Sequence, residues 1–406
     1  MKDLKIFTEN IEDTAMAQIE TLVKLEPFKN SKIRIMPDVH AGMGCVIGFT
    51  GDLGDKVIPN IVGVDIGCGM LTVSIGKEHI DLERLDQVIK RHVPSGFNVH
   101  EQRRVRFDLQ DIKIYRNLKD TKRIERSLGT LGGGNHFIEI DIDDEGNKYL
   151  IIHTGSRNLG HQVAKYYQEL AVELCSGKEE MFKEQEEIIK TYKEEGRRAE
   201  IQKALKELRE KYRDLKPNLP NDLCYLTGEY RDNYLHDMEI CQRFASENRF
   251  EIAKNILYNY FGPDYSKNAF DTNKWSHFET VHNYISFKDN IVRKGAISAY
   301  KDEIVLIPIN MRDGCIIARG KGNEDWNNSA PHGAGRIMSR NEARQILNFD
   351  EFKESMKDVF STTVVEGTID ESPMAYKPIE EIINNIGDTV EILKIIKPIY
   401  NFKAAD

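Results

Sequence analysis

Apolar positions along this chain fall into short clusters punctuated by glycine, and helical spacing is confined to a few longer stretches. After an opening helix predicted over 14–25, residues up to 75 read as short strands and turns, broken at Gly42, Gly44, Gly48, Gly51 and Gly54. Amphipathic spacing predicts a helix over 82–92. Apolar runs at 137–142 and 149–153 flank Asp143-Asp144-Glu145-Gly146-Asn147, which predicts a hairpin. Helical patterns follow over 162–174 and 228–258.

The stretch 178–216 differs in kind. Glu, Lys and Arg dominate it, with Ile201, Leu205, Leu208, Tyr212 and Leu215 in helical spacing, a split at Gly196 and the breaker Lys216-Pro217-Asn218-Leu219-Pro220 at its end. We read a charged helical hairpin inserted into the body and buried along one stripe. A solvated insertion is the plainer account of such a face, and a partner or RNA arm the more specific one.

Among apolar runs sits Gly63-Val64-Asp65-Ile66-Gly67-Cys68-Gly69-Met70, a carboxylate and a thiol three residues apart between glycines. Val57, Ile58, Ile61, Val62 and Val64 lead in and Met70, Leu71, Val73 and Ile75 lead out, so the segment reads as a bend between two buried strands. Held there, Asp65 and Cys68 suit a transition metal, or else form a turn residue and a small buried hydrophobe. Four histidines occupy similar segments. His136 follows Gly132-Gly133-Gly134-Asn135, His153 ends an apolar run before Thr154-Gly155-Ser156-Arg157, His282 precedes Asn283 after the long predicted helix, and His332 opens His332-Gly333-Ala334-Gly335-Arg336. Imidazole, thiolate and carboxylate together suit manganese, iron, cobalt, nickel or zinc, and a shared thiolate allows a two-metal centre. Glycine loops add amide groups for anions, and Arg157, Lys294, Arg336 and Lys403 add positive charge, which points to phosphoryl or nucleotidyl transfer. The triple glycine is neither a Rossmann nor a Walker loop, because it enters a strand without the GxGxxG spacing or a following lysine.

Composition narrows the class. The 406 residues, 40% hydrophobic, suffice for a large core, and no stretch has the apolar length of a membrane span. Met1-Lys2-Asp3-Leu4-Lys5 lacks a signal-peptide pattern, which predicts a cytoplasmic protein. Six cysteines without a CxxC pair suggest neither a disulfide framework nor a zinc ribbon. A net charge of -9 argues against non-specific coating of nucleic acid, while Arg91, His92, Arg103, Arg104 and Arg106, or Lys122, Arg123 and Arg126, could form a local basic groove or a plain solvated surface.

Together, Met36-Pro37-Asp38-Val39-His40, Gly63 to Gly69, Gly129 to His136, His153 to Arg157, His282-Asn283, Arg293-Lys294-Gly295-Ala296 and His332 to Arg336 resemble, in order, the motifs of the RtcB family of RNA-splicing ligases. The resemblance implies an α+β fold of packed sheets flanked by helices, with one catalytic domain over 1–406. It implies a GTP- and manganese-dependent ligase that joins RNA 2′,3′-cyclic phosphate or 3′-phosphate ends to 5′-hydroxyl ends, in tRNA splicing or RNA repair. Asp65, Cys68 and His136 would hold one Mn2+, and Cys68, His153 and His282 the second. His332 would carry GMP covalently. Asn135, Glu139, Asn310, Gly333, Ala334, Gly335, Tyr376 and Lys403 would contact the guanylate, with Arg157, Asn283 and Lys294 at the phosphate and RNA end. RNA, GTP and an accessory activating protein are the implied partners. Asn310 and Cys315 depart from the family's serines, Asn158 from a common glycine, and Ala404 from Lys-Gly. Other readings on the same residues are a metal-dependent end-healing or repair enzyme and a non-catalytic RNA-binding homologue.

Overall fold

Fourteen strands, numbered in chain order, form three sheets among the residues that this computed structural model describes, 3–52, 54–263 and 277–404. Met1 and Lys2, part of the N-terminal reading, lie outside them. The five-stranded sheet joins β1 (Leu4–Ile6), β2 (Ile33–His40), β3 (Ile47–Asp52), β9 (Ile291–Lys294) and β8 (Asn283–Ile285) in that order. The seven-stranded sheet runs β11 (Ile304–Asn310), β12 (Gly314–Gly320), β14 (Val390–Lys403), β5 (Phe137–Ile142), β6 (Lys148–Thr154), β4 (Gly69–Gly76) and β7 (His277–Val281). All its pairs are antiparallel. The Leu306 amide on the first strand reaches the Thr280 hydroxyl on the last at 3.0 Å, so the sheet nearly closes. Strands β10 (Ala296–Ser298) and β13 (Ser329–Pro331) form a small third sheet. With the flanking helices, this is the expected α+β architecture.

The helix predicted over 82–92 is α3 (Leu82–His92), started by Asp81, whose carboxylate accepts from the Arg84 amide at 3.0 Å, and finished by Lys90, Arg91 and His92 near the negative end of its dipole. The long helix α8 (Gly228–Phe261) is about 50 Å long. Its first half buries Tyr234, Met238 and Phe244 in one core and its second buries Ile252, Ile256 and Tyr260 in another, so it ties two apolar clusters together. The charged stretch forms α6 (Glu179–Glu194) and α7 (Ile201–Lys211), with Gly196 in the turn between them. No helix among the described residues is long and apolar enough to cross a membrane.

Three local expectations need correction. The run into Gly63 forms a short helix, α2 (Pro59–Val62), because Pro59 presets its first turn and Gly63, at φ 92°, ends it. A strand, β1, precedes the opening helix α1 (Asp13–Leu22). His282 follows β7 and not a helix end.

Candidate active site

The order β14-β5-β6-β4-β7 places the candidate residues side by side. Cys68 directly precedes β4, His136 directly precedes β5, His153 lies at the end of β6, and His282 directly follows β7. Register makes the ends coincide: Phe137 and Met70 both pair with His153, Gly69 pairs with Val281, and Lys403 pairs with Phe137. Four chain-distant side chains thus share one end of four adjacent strands.

Cys68 Sγ lies 3.5 Å from His136 Nε2 and 3.3 Å from His153 Nε2, and His153 Nε2 lies 3.4 Å from His282 Nε2. Asp65 Oδ2 is 2.9 Å from His136 Nε2. Two potential ligand groups result, Asp65-Cys68-His136 and Cys68-His153-His282, with Cys68 in both. The imidazole orientations carry chemical information. His136 Nδ1 faces the Leu131 carbonyl at 3.0 Å and His153 Nδ1 faces the Asn135 carbonyl at 3.2 Å. A carbonyl can only accept, so both Nδ1 atoms carry hydrogen; His153 Nε2 then faces the thiol with its lone pair, while His136 Nε2 lies between the thiol and the Asp65 carboxylate. Lone pairs, a sulfur and a carboxylate converging in a buried place fit divalent cations.

Electrostatics agrees with that donor set. Burial drives the His153 and His282 imidazoles well below their ordinary range, which keeps them neutral. Desolvation opposes charge on Asp65, but His136 beside it brings the carboxyl down to about 2. Burial, and then Asp65, push the Cys68 thiol well up, and a bound cation would reverse that by taking the thiolate as ligand.

The long helix fixes the loops that carry these ligands. Asn248 Oδ1 accepts from the Gly129 and Thr130 amides at 2.7 and 3.1 Å, and fully buried Arg249 donates to the Gly67 and Thr154 carbonyls at 2.9 and 2.8 Å. Gly155 packs so tightly that any Cβ there would strike the Asp65 carboxylate.

His332 enters from the small sheet. Its Nδ1 meets Asp38 Oδ2 at 2.6 Å, and the same oxygen accepts from the His332 amide at 3.1 Å. Asp38 is fully buried on β2, and Gly335, at φ 78°, lets the loop lie against the Asp38 backbone. The His332 ring centroid is 4.9 Å from that of His282, so a histidine oriented by a carboxylate stands beside the cysteine-histidine cluster.

A cavity opens from this point. His153, His282, His332, Asn135, Asn283, Glu139, Asn310, Gly333, Ala334, Gly335, Tyr376 and Lys403 all line it, together with Glu371, Arg336 and Arg340. Burial opposes ionisation of Glu371, yet Lys403, Arg340 and Arg336 bring its pKa down to about 2. Tyr376 donates to Glu371 Oε2 at 2.9 Å and Lys403 pairs with the same oxygen. Deeper, burial raises Glu139 to about 7 and Asp141 well above its usual range, with Asn401 donating to Glu139. Asn310, the departure from serine, donates to Asp313 at 2.8 Å. Cys315, the other departure, lies buried beside Glu139 and Asp141.

Lys294 and Arg157 do not line the cavity. The Lys294 ammonium donates to the Met43 and Asn60 carbonyls at 2.7 and 3.1 Å, and Arg157 lies against Gly132 with hydrogen bonds to Thr130 and Gly96. The sequence reading gave no role to Asp38, Asn248, Arg249 or Glu371. Asp38 did stand in a quoted motif, whereas Glu371 lies in an irregular stretch with no local signal.

The family model described as tRNA-splicing ligase RtcB matches residues 18–120 and 108–404. The chain belongs to the RtcB family of RNA-splicing ligases. It is 30% identical to the RNA-splicing ligase RtcB of Escherichia coli K12 over 98% of this chain and 96% of that protein. It is 25% identical to the tRNA-splicing ligase RtcB of Nanoarchaeum equitans, covering 93% of this chain and 89% of that one. For the tRNA-splicing ligase RtcB of Methanococcus maripaludis the identity is 24%, over 97% and 92%. Membership of the RtcB family therefore extends over the cysteine-histidine cluster, the His332 loop and Lys403 alike.

Proposed function

We propose that this chain joins an RNA 2′,3′-cyclic phosphate or 3′-phosphate end to a 5′-hydroxyl end, with His332 as nucleophile toward GTP. The observation that carries the reading is the contact of Asp38 Oδ2 with His332 Nδ1 at 2.6 Å, beside the cysteine-histidine cluster. Asp38 accepts the Nδ1 proton, which leaves the Nε2 lone pair for attack on the α-phosphate. The bond to pyrophosphate breaks and GMP stays on His332. GMP then passes to the RNA 3′-phosphate, and the 5′-hydroxyl displaces it as the new phosphodiester forms. Asp65, Cys68 and His136 would hold one Mn2+ and Cys68, His153 and His282 another, supplying charge neutralisation at the phosphates and a metal-activated water for cyclic-phosphate opening.

The guanine sits against Glu139, whose carboxylate accepts from the base when ionised. Asn135, Asn310, Gly333, Ala334, Gly335, Tyr376 and Lys403 surround the rest of the nucleotide. Asn283 faces the RNA end directly, while Lys294 and Arg157 must leave their present partners to reach it. An accessory protein that speeds turnover fits a reaction with a covalent intermediate. The test is incubation with radiolabelled GTP and MnCl2, followed by denaturing gel and mass spectrometry. Label is expected on the wild type and absent from His332→Ala. An active protein that opens cyclic phosphates but never carries GMP would instead be an end-healing enzyme.

A further inference from the structure

The charged hairpin leaves the body and returns to it at two cysteines. Cys175 ends α5 (Arg157–Cys175), directly before the hairpin, and Cys224 follows the turn that brings the chain back toward α8. The Cys175 thiol donates to the carbonyl of Tyr225, the residue after Cys224, at 3.6 Å. Backbone geometry confirms the approach, because the amide of Tyr225, bonded to Cys224 itself, donates to Cys175 Sγ at 3.4 Å. Cys224 Sγ also donates to the Pro220 carbonyl at 3.6 Å. Cys224 is fully buried, while Cys175 is partly exposed and lines an open cavity with Glu179, Tyr225 and Tyr230. A small oxidant reaches Cys175 through that opening and finds a second thiol behind it. Neither cysteine belongs to the cysteine-histidine cluster or to the cavity beside it.

We infer that Cys175 and Cys224 form a reversible disulfide that fastens the base of the helical hairpin. The co-reactant is a low-molecular-weight disulfide such as glutathione disulfide. The Cys175 thiolate attacks one of its sulfurs, that S–S bond breaks, and one glutathione thiolate leaves. Cys224 gives its proton to solvent and attacks the Cys175 sulfur, and the second glutathione thiolate leaves. Two protein thiols are oxidised, one glutathione disulfide is reduced, and the two released thiolates take up the two protons. The exposed thiol reacts first and the buried one resolves, which fits the difference in access. Burial, together with the neighbouring Cys175, raises the Cys224 thiol to about 12, so the resolving step accelerates as pH rises.

The bond would act on the hairpin alone. Its helices are held to one another by Glu184, which accepts from Lys211 at 2.8 Å and from Tyr212 at 2.7 Å, and they join the body at the two chain crossings beside the cysteines and where Phe182 packs on Tyr230 of α8. Closing that loop with a covalent bond restricts how far the hairpin can detach.

The test uses the full chain treated with glutathione disulfide, alkylated and digested without reductant. A linked peptide containing Cys175 and Cys224, lighter by two hydrogens than the free pair, is expected, and dithiothreitol should restore both free peptides. The link should be lost in Cys175→Ser and in Cys224→Ser and kept in Cys241→Ser. Amide hydrogen exchange over 178–216 should slow in the oxidised wild type and return to its starting rate after reduction. A stable glutathione adduct on Cys175 with Cys224 still free would overturn the proposal, as would a linked peptide that leaves exchange in the hairpin unchanged.

Discussion

On the side of the cavity formed by His153 and His282, potential metal donors converge: imidazole nitrogens, the Cys68 sulfur behind them and the Asp65 carboxylate. On the side formed by Glu371, the carboxylate already has Lys403, Arg336, Arg340 and Tyr376 around it. The first wall offers donors that suit a cation, and the second gathers more positive charge than Glu371 alone offsets. His332 stands between them, oriented by Asp38 from a third element, so its tautomer does not depend on either wall.

The largest effect is expected from Cys68→Ala, which removes the one donor common to both ligand groups. No His332-linked GMP should form, and bound metal measured by plasma mass spectrometry should fall for both sites; continued accumulation of the adduct would show that Cys68 is not shared. Glu371→Gln attacks the second wall and leaves Lys403 and Arg336 without their buried counter-charge, while Arg340 keeps Asp370 at 2.7 Å. Stability should drop by about 3 kcal/mol in urea unfolding, the usual scale for breaking a buried pair. An unchanged midpoint would mean that this wall is held by packing instead.

Asp38→Asn sharpens the comparison at its centre. Guanylylation should slow by about 10–100-fold, the range for an orienting partner, with bound metal unchanged. Loss of metal in this variant would move Asp38 to the first wall. The smallest effect concerns pH. Burial raises Glu139 to about 7, so it gains a proton as pH falls through that value and then no longer accepts from guanine. The KM for GTP should rise below about pH 7, by at most about tenfold per pH unit. A flat profile between pH 6 and 8 would exclude Glu139 from base recognition.

The two walls also differed in how far the sequence announced them. Asp65, Cys68, His136, His153 and His282 stand out because chemistry-bearing side chains at element ends among glycines are uncommon, and sheet order then brings them together. The hairpin at Asp143–Asn147 and the helix over 82–92 were equally legible, since local turn chemistry and periodicity decide them. Asp38 was visible as a motif residue but not as a partner of His332, because only tertiary packing sets β2 against that loop. Glu371 and Arg249 gave no signal at all. One sits in irregular backbone and the other is a charged residue in the middle of a helix, where exposure would be the ordinary expectation. The α2 segment departs from the expectation because the short apolar run Val57, Ile58, Ile61 and Val62 fits a strand as well as a helix, and Pro59 with Gly63 decides between them.

The bond between Asp38 and His332 joins residues 294 positions apart. At ribosomal speeds of about 5–20 residues per second, Asp38 waits roughly 15–60 s for its partner to be made. The whole cysteine-histidine cluster, Asp65 to His282, is synthesised during that interval, and His332 comes after all of it. An unfinished chain can therefore gather its donors but lacks His332, so the guanylylation proposed above would mark a chain whose synthesis has passed His332 and whose two ends have met.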